Sequence, residues 1–244
     1  MNERCKQQWE ALGACDPYWA VLTHPSSIGG KWDKEIFFQS GREEIDAVFN
    51  KVSGLGIQIK FDYALDYGCG VGRLSQALSR SFRRVLGVDI SATMLSEARS
   101  ENAGYDNISY LNNDGTSLEG VADEVVDFLY CNIVLQHSPK GIQKLLIREF
   151  CRVLRPGGTV MFQTPSHPRL DSIKGFLHLL LSNLVLNLAR RFRYGKHRVM
   201  EMHTMAIDEV LKLLLEEGMT IYEAERYDSA GADFISYRYV ATKK

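Results

Sequence analysis

Residues 61–75, FDYALDYGCGVGRLS, place three glycines on alternate positions directly after an apolar run. Each glycine costs backbone entropy, so this spacing indicates a stretch of main chain that something approaches closely. We expect Gly68 to form a tight turn, Gly70 to let the backbone approach a ligand, and Gly72 to let the following helix pack close to the strand. A plain tight turn that binds nothing would also accommodate these glycines.

The apolar pattern around this stretch is typical of an α/β fold. From residue 61 onward, apolar runs of strand length alternate with amphipathic helical stretches, which predicts a parallel sheet covered by helices on both faces. The chain ends in two strand-like segments, TIYEAERYD and FISYRYVATKK, joined only by SAGAD. Such a short connection fits an antiparallel hairpin and cannot hold a parallel crossover. Before residue 61, residues 2–13 and 33–53 are predicted to be helical.

Acidic residues stand at the ends of the predicted strands around the glycine loop. Asp89 ends VLGVDI about 20 residues beyond the loop, where a carboxylate would meet the hydroxyls of a ribose. It could instead cap the next helix, although Ser91 is available for that task. Asp114 follows the third strand in NNDG, where it could also be a turn residue before Gly115. Together with Asp66 and the glycines, these acids predict a nucleotide-type site.

Composition limits the kind of protein that this chain can be. Its 244 residues suffice for one α/β domain with an insertion and a sizeable core. The formal net charge of -1 provides no overall field that would attract nucleic acid. Five cysteines without a C-x-x-C pair argue against a zinc site or a disulfide framework, and the charged N-terminal residues argue against a secretion signal. We therefore expect a cytoplasmic protein.

The motifs resemble those of class I S-adenosylmethionine-dependent methyltransferases, in particular the bacterial small-molecule type. LDYGCGVGRL is similar to the family's first motif, acid-x-G-x-G-x-G, while GVDIS, NNDG and LRPGGTV are similar to later strand ends and turns. The resemblance covers residues 61–164 and, more loosely, the terminal hairpin. It implies a Rossmann-like, doubly wound sheet of seven strands, mostly parallel with an antiparallel last strand, and S-adenosyl-L-methionine as the cofactor.

The resemblance also implies which residues hold that cofactor. The three glycines would lie under its methionine part, and Asp89 would hold the ribose hydroxyls, with Ile90 beside the adenine. Asp114 would accept a hydrogen bond from the adenine amino group. Met94 would cover the adenine face, unless it is an ordinary methionine of the helix core. The complete predicted cofactor-binding set is Asp66, Gly68, Cys69, Gly70, Gly72, Arg73, Asp89, Ile90, Met94, Asn113, Asp114, Gly115, Cys131, Asn132 and Gln136.

Chemistry at the acceptor would take place near the end of the fourth strand. Such a cofactor already carries an electrophilic methyl group, so the protein has to hold the acceptor in line and exclude water. A general base is needed only for an alcohol, a phenol or an ammonium acceptor. His137, in NIVLQHSP, is the candidate base, although it could equally be a capping or structural histidine. Cys131 and Asn132 would flank the sulfonium.

The same region excludes several acceptor classes. YCNIVLQ differs from the Asn/Asp-Pro-Pro-Tyr sequence of enzymes that methylate nucleic-acid amino groups, and it lacks the acid that catechol-type enzymes use to bind magnesium. We therefore predict a small-molecule acceptor methylated at oxygen or nitrogen, no nucleic-acid partner and no metal. The alternatives are a binding protein without turnover and a nicotinamide oxidoreductase. The glycine spacing and the terminal hairpin disfavour the oxidoreductase.

Two segments are predicted to cover the site. Residues 1–60 would form a helical lid, in which Trp32 and its aromatic neighbours contact the cofactor or merely pack on the sheet edge. Residues 61–244 would form the methyltransferase domain, with an insertion, 166–203, as the acceptor-side cap. The apolar helix and basic run of residues 173–198 leave three interpretations: a pocket cover, a dimer contact, or a contact with a membrane surface or an anionic, lipid-linked or phosphorylated acceptor. We expect a monomer or a homodimer.

Overall fold

A computed structural model describes residues 3–23, 25–172 and 200–244 of the chain. The helices are α1 (Glu3–Cys15), α2 (Pro17–Val21), α3 (Lys34–Gly54), α4 (Arg73–Ser79), α5 (Ala92–Glu101), α6 (Lys140–Val153) and α7 (Ile207–Glu216). The strands are β1 (Tyr63–Tyr67), β2 (Arg84–Asp89), β3 (Ile108–Asn112), β4 (Val126–Cys131), β5 (Leu154–Pro168), β6 (Met219–Arg226) and β7 (Phe234–Lys243). His24 and most of the predicted insertion, including its basic run, lie outside the described residues.

The strands form one seven-stranded sheet in the order β3-β2-β1-β4-β5-β7-β6. Strands β1 to β5 pair in parallel, and β7 is antiparallel to both β5 and β6. The predicted Rossmann-like sheet with an antiparallel last strand is therefore confirmed. The chain order of the strands reverses between β1 and β4, and in open α/β sheets such a reversal opens a ligand crevice at the carboxyl ends of the strands.

The inner strands are buried on both faces because helices cover them. All six residues of β4 are buried, as in the continuous apolar strands of parallel sheets. At the start of α5, the Ser91 hydroxyl accepts from the backbone N–H of Met94, so Ser91 is the helix cap. Strand β5 continues to Pro168, so the first three residues of the predicted cap belong to the sheet.

The N-terminal segment packs on the carboxyl-end edge of the sheet. An apolar cluster joins it to the glycine loop and to α5; its buried members are Leu12, Tyr18, Ala20, Phe37, Phe38, Val71 and Met94. The Glu10 carboxylate accepts from the backbone N–H groups of Ala92 and Thr93 and from the Ser91 hydroxyl. Helix α1 thus attaches to the N-terminus of α5, where a negative charge is favourable. Within the described ranges, no helix is both long and apolar enough to cross a membrane.

Candidate active site

The glycine loop connects β1 to α4 in a conformation that needs glycine. Gly68, Gly70 and Gly72 all have positive φ angles, of 75°, 54° and 81°. A Cβ atom added at Gly68 would collide with Val134, and one added at Gly70 would collide with Val21 of α2. The loop is therefore bare main chain at the crevice, as predicted, but a side chain of the N-terminal segment already covers part of it.

Asp89 binds the glycine loop directly. Its Oδ2 atom accepts from the Gly70 N–H at 2.9 Å, and its Oδ1 atom accepts from the Ser91 N–H at 2.8 Å. Burial raises the pKa of this carboxyl group to about 6, although the backbone hydrogen bonds oppose the shift. A carboxylate has about four acceptor positions, so both oxygens keep capacity for further donors such as hydroxyls.

A cavity of about 740 Å³ opens above this unit. Eleven of the sixteen predicted site residues line it: Gly68, Cys69, Gly70, Arg73, Asp89, Ile90, Met94, Gly115, Asn132, Gln136 and His137. They come from the carboxyl end of β2, from the segments that follow β1 to β4, and from the first turns of α4 and α5. The structure therefore brings most of the predicted set around one crevice, and its volume lies in the range typical of small-molecule sites.

Three of the remaining predicted residues lie beneath the cavity. Asp66 is fully buried and accepts from the Ser75 hydroxyl at 2.7 Å, and burial raises its pKa to about 7. Cys131 is enclosed in the core. Gly72 faces Tyr110 and the end of α5, which agrees with the close helix–strand packing expected of it. Asp66 and Cys131 are buried residues of β1 and β4, and Gly72 directly precedes α4, so these three residues pack in the structure without lining the cavity.

Asp114 and Asn113 lie at the rim after β3, and neither lines the cavity. Asp114 is exposed, and its Oδ1 atom accepts from the N–H groups of Thr116 and Ser117 at 2.8 and 3.1 Å. This is the turn geometry of the alternative interpretation. The side chain of Asn113 donates to the carbonyl oxygen of Ser117. Contacts of either residue with adenine remain predictions.

His137 is a neutral imidazole held in one tautomer. Its Nδ1 atom lies 2.8 Å from the carbonyl oxygen of Glu201, which can only accept, so Nδ1 carries the proton. Burial lowers the pKa of His137 to about 4, and the hydrogen bond to Glu201 opposes this shift. The Nε2 atom is therefore an acceptor, and the Gln136 side-chain amide donates to it at 3.3 Å. The Trp9 ring packs against this imidazole at 67°, with the ring centroids 5.1 Å apart.

Sequence reasoning missed a polar network centred on Glu44 of α3. Its carboxylate accepts from Arg73 Nη2 at 2.6 Å, from the Tyr130 hydroxyl at 2.9 Å and from Asn132 Nδ2 at 2.8 Å. Both Arg73 and Asn132 line the cavity. The partners are 29 to 88 residues away in the chain, so no local motif signals this network.

The N-terminal segment contributes more of the cavity wall than predicted. Trp32 lines the cavity, but Phe37 and Phe38 pack inside the apolar cluster, as ordinary packing would have it. Trp9 and Trp19, two of the aromatic residues of this segment, line it as well. Among the described residues, no group of three or more His, Cys, Asp or Glu side chains is placed to hold a metal ion.

Comparison with known proteins agrees with this geometry. A family model described as "Methyltransferase domain" matches residues 65–162. Malonyl-[acyl-carrier protein] O-methyltransferase of Yersinia pestis is 35% identical over 163 residues, which are 64% of this chain and 58% of that protein. Ubiquinone biosynthesis O-methyltransferase of Coxiella burnetii is 30% identical over 134 residues, 54% of each chain. The chain thus spans about half the length of the curated relatives that it matches.

Solved structures show the same fold. The crystal structure of magnesium protoporphyrin IX methyltransferase from Synechocystis PCC 6803 with bound SAH matches over 100% of both chains, with a TM-score of 0.64 and 17% identity. At that identity the likeness concerns the fold alone. The family match over the glycine loop and the strands around it, the related sequences and the shared sheet lead to one assignment. The chain is similar in sequence and in fold to S-adenosylmethionine-dependent methyltransferases, and the family match covers residues 65–162.

Proposed function

We propose that this protein binds S-adenosyl-L-methionine in the cavity and transfers its methyl group to an oxygen or nitrogen of a small-molecule acceptor. The observation that carries the proposal is the hydrogen bond between the glycine loop and Asp89 at the floor of the cavity. Two of the relatives are named for methylation at oxygen, which favours oxygen over nitrogen. The name of the Yersinia protein includes an acyl-carrier protein, so carrier-bound acceptors belong among those tested.

The residues present fit the cofactor. The bare loop at Gly68 offers main chain to its methionine part, and the buried Asp89 carboxylate offers acceptors to a ribose. Ile90 and Met94, next along the wall, offer apolar surface to an adenine. When bound, the cofactor supplies a methyl group that is already electrophilic.

The protein itself positions the acceptor and takes up the proton of the acceptor hydroxyl. The enclosing wall excludes water and holds the acceptor against the reacting carbon, which can lower a barrier by about 7–11 kcal/mol in well-oriented reactions. His137 Nε2 accepts the proton that the acceptor hydroxyl loses as its oxygen becomes bonded to carbon. An alkylated oxygen that still carries its proton is strongly acidic, so a base with a pKa of about 4 is sufficient.

Calorimetry tests the cofactor assignment. The protein should bind S-adenosylhomocysteine and should not bind NAD; binding of NAD alone would reject the proposal. Turnover is tested separately by following the release of S-adenosylhomocysteine with phenols, carboxylic acids, amines and an acylated carrier protein. A protein that binds the product cofactor tightly and releases none with any of these acceptors would be the non-catalytic alternative.

A further inference from the structure

The cavity wall opposite the sheet is built from tryptophan and methionine. The sequence contains three tryptophans, and all three, Trp9, Trp19 and Trp32, line the cavity. Met200 and Met202, where the described chain resumes, line it too. Tryptophan and methionine present large, polarisable apolar surfaces, which bind ring systems and other apolar bodies well.

Charged side chains in the described lining are few, and each already has partners within the protein. Among the cavity residues that the structure describes, only Arg73 and Asp89 carry a charge at neutral pH. The Arg73 guanidinium is 4% exposed and forms an ion pair with Glu44 at 2.6 Å, while Asp89 accepts two backbone hydrogen bonds. An acceptor with its own charge would therefore lose hydration in this cavity without gaining a free counter-ion from the described wall.

The polar groups that remain suit a hydroxyl. His137 Nε2 is a neutral acceptor whose present partner is the Gln136 amide at 3.3 Å, and Trp9 covers the same ring from the N-terminal segment. A hydroxyl that replaces this amide can donate to that nitrogen, whereas a carboxylate, which only accepts, cannot. The polar contact and the apolar wall thus meet at one place, beside His137.

We propose that the acceptor is an uncharged hydroxyl compound on an apolar, ring-bearing body, for which a hydrophobic phenol is the simplest representative. The inference rests on the proposed methyl transfer and narrows its acceptor class. Transfer would form the bond between phenol oxygen and methyl carbon, break the carbon–sulfur bond of the cofactor, and leave the phenol proton on His137. The products are a neutral methyl ether and a neutral thioether group.

Tryptophan fluorescence tests the acceptor class directly, because every tryptophan of the chain lies in the cavity wall. The protein, saturated with S-adenosylhomocysteine, is titrated at neutral pH with para-pentylphenol and with para-pentylbenzoate. The two probes carry the same pentylphenyl group, but at neutral pH the phenol is uncharged and the benzoate is an anion. We expect saturable quenching by the phenol and binding of the benzoate that is weaker by at least about tenfold, the effect of roughly 1.4 kcal/mol of unpaired charge. Equal or tighter binding of the benzoate, or no saturable quenching by either probe, would overturn the inference.

Variants distinguish the loss of an aromatic side chain in the cavity wall from a general effect on the fold. Measured by calorimetry, Trp9→Leu should weaken phenol binding about tenfold, and Trp9→Phe, which keeps a ring, by less. Tyr222→Leu removes an exposed aromatic side chain outside the cavity lining and should bind like the wild type. Failure to bind S-adenosylhomocysteine would refute the proposed function itself. Normal cofactor binding with a preference for the benzoate would refute only the acceptor class.

Discussion

The backbone N–H of Gly70 lies 2.9 Å from Oδ2 of Asp89, so the glycine loop and the end of β2 form one hydrogen-bonded unit. The second carboxylate oxygen accepts from Ser91 at the start of α5. A single side chain therefore joins the end of β2, the loop between β1 and α4, and the start of α5 at the cavity floor. Any ligand that binds to Asp89 is at the same time held against the bare loop.

Asp89→Asn should weaken binding of S-adenosylhomocysteine by about 10–100-fold at neutral pH, because one charged acceptor, worth roughly 1.5–3 kcal/mol, is lost. Since burial raises the pKa of Asp89 to about 6, wild-type affinity should also fall as the pH drops through that value. Calorimetry over a pH series measures both effects. Asp62→Asn, an exposed carboxylate ahead of β1, is the control and should bind normally. Unchanged affinity in Asp89→Asn would contradict the site.

His137→Gln should lower turnover by roughly 10²-fold, within the usual range for loss of a proton acceptor, and spare cofactor affinity. Because burial lowers the pKa of His137 to about 4, this residue stays neutral at higher pH. With the cofactor saturating at every pH, the wild-type kcat/KM for the acceptor should then show no titration near the ordinary histidine value of about 6.5. His167→Gln, on an exposed part of β5, should keep full activity. An inflection near pH 6.5 in the wild type that disappears in His137→Gln would show that burial does not lower the pKa of His137.

Glu10→Ala should destabilise the protein by about 1 kcal/mol, the usual effect of losing a helix N-terminal acceptor. The variant leaves the N–H groups of Ala92 and Thr93 without this carboxylate. Thermal unfolding measures the change. Glu35→Gln, an exposed acid in the first turn of α3, is the matched control and should lie within about 0.5 kcal/mol of the wild type. Identical melting of Glu10→Ala and the control would show that α1 is not attached through this contact.

Glu44→Ala should lower the free energy of unfolding by about 3 kcal/mol, because it leaves the buried Arg73 guanidinium without its ion-pair partner. Glu44→Gln should lose less, since its amide oxygen can still accept from Tyr130 and Asn132. Urea unfolding compares both with Glu43→Ala, an exposed neighbour on the same helix. If Glu44→Ala and Glu43→Ala unfold with the same free energy, the network does not stabilise the fold.

Asp66 should give the apoprotein an unusual pH dependence of stability. Burial raises its pKa in the folded state to about 7, so between roughly pH 4 and 7 the folded protein holds a proton that the unfolded chain has released. Its contribution to stability is therefore present at low pH and is lost as the pH rises through this window. Asp66→Asn should remove that loss, and urea midpoints at the two ends of the window measure it. Asp46→Asn, which changes an exposed carboxylate, should keep the wild-type dependence of stability on pH. The same dependence in Asp66→Asn would contradict the raised pKa of Asp66.

The sequence was sufficient to predict the fold and the edge of the sheet at which the cavity lies. Alternating strand and helix patterns, together with the short SAGAD connection, predicted the parallel sheet and its antiparallel end, because both depend on local period and connection length. Spacing along the chain predicted that Gly70 and Asp89 lie at one edge of the sheet, since parallel strands bring their carboxyl ends together, and the structure places them within hydrogen-bond distance there.

What tertiary structure decided was which side chains meet at that edge. Glu10 and Glu44 look like solvated charges on amphipathic helices, and only the docking of α1 and α3 turns them toward α5 and Arg73. Tertiary structure also decided which residues near the strand ends line the cavity and which are buried. Successive side chains of a strand point to opposite faces, so neighbouring residues can differ in this respect. Sequence periodicity determines the elements and their order; long-range packing determines which polar groups lose water and must therefore find partners.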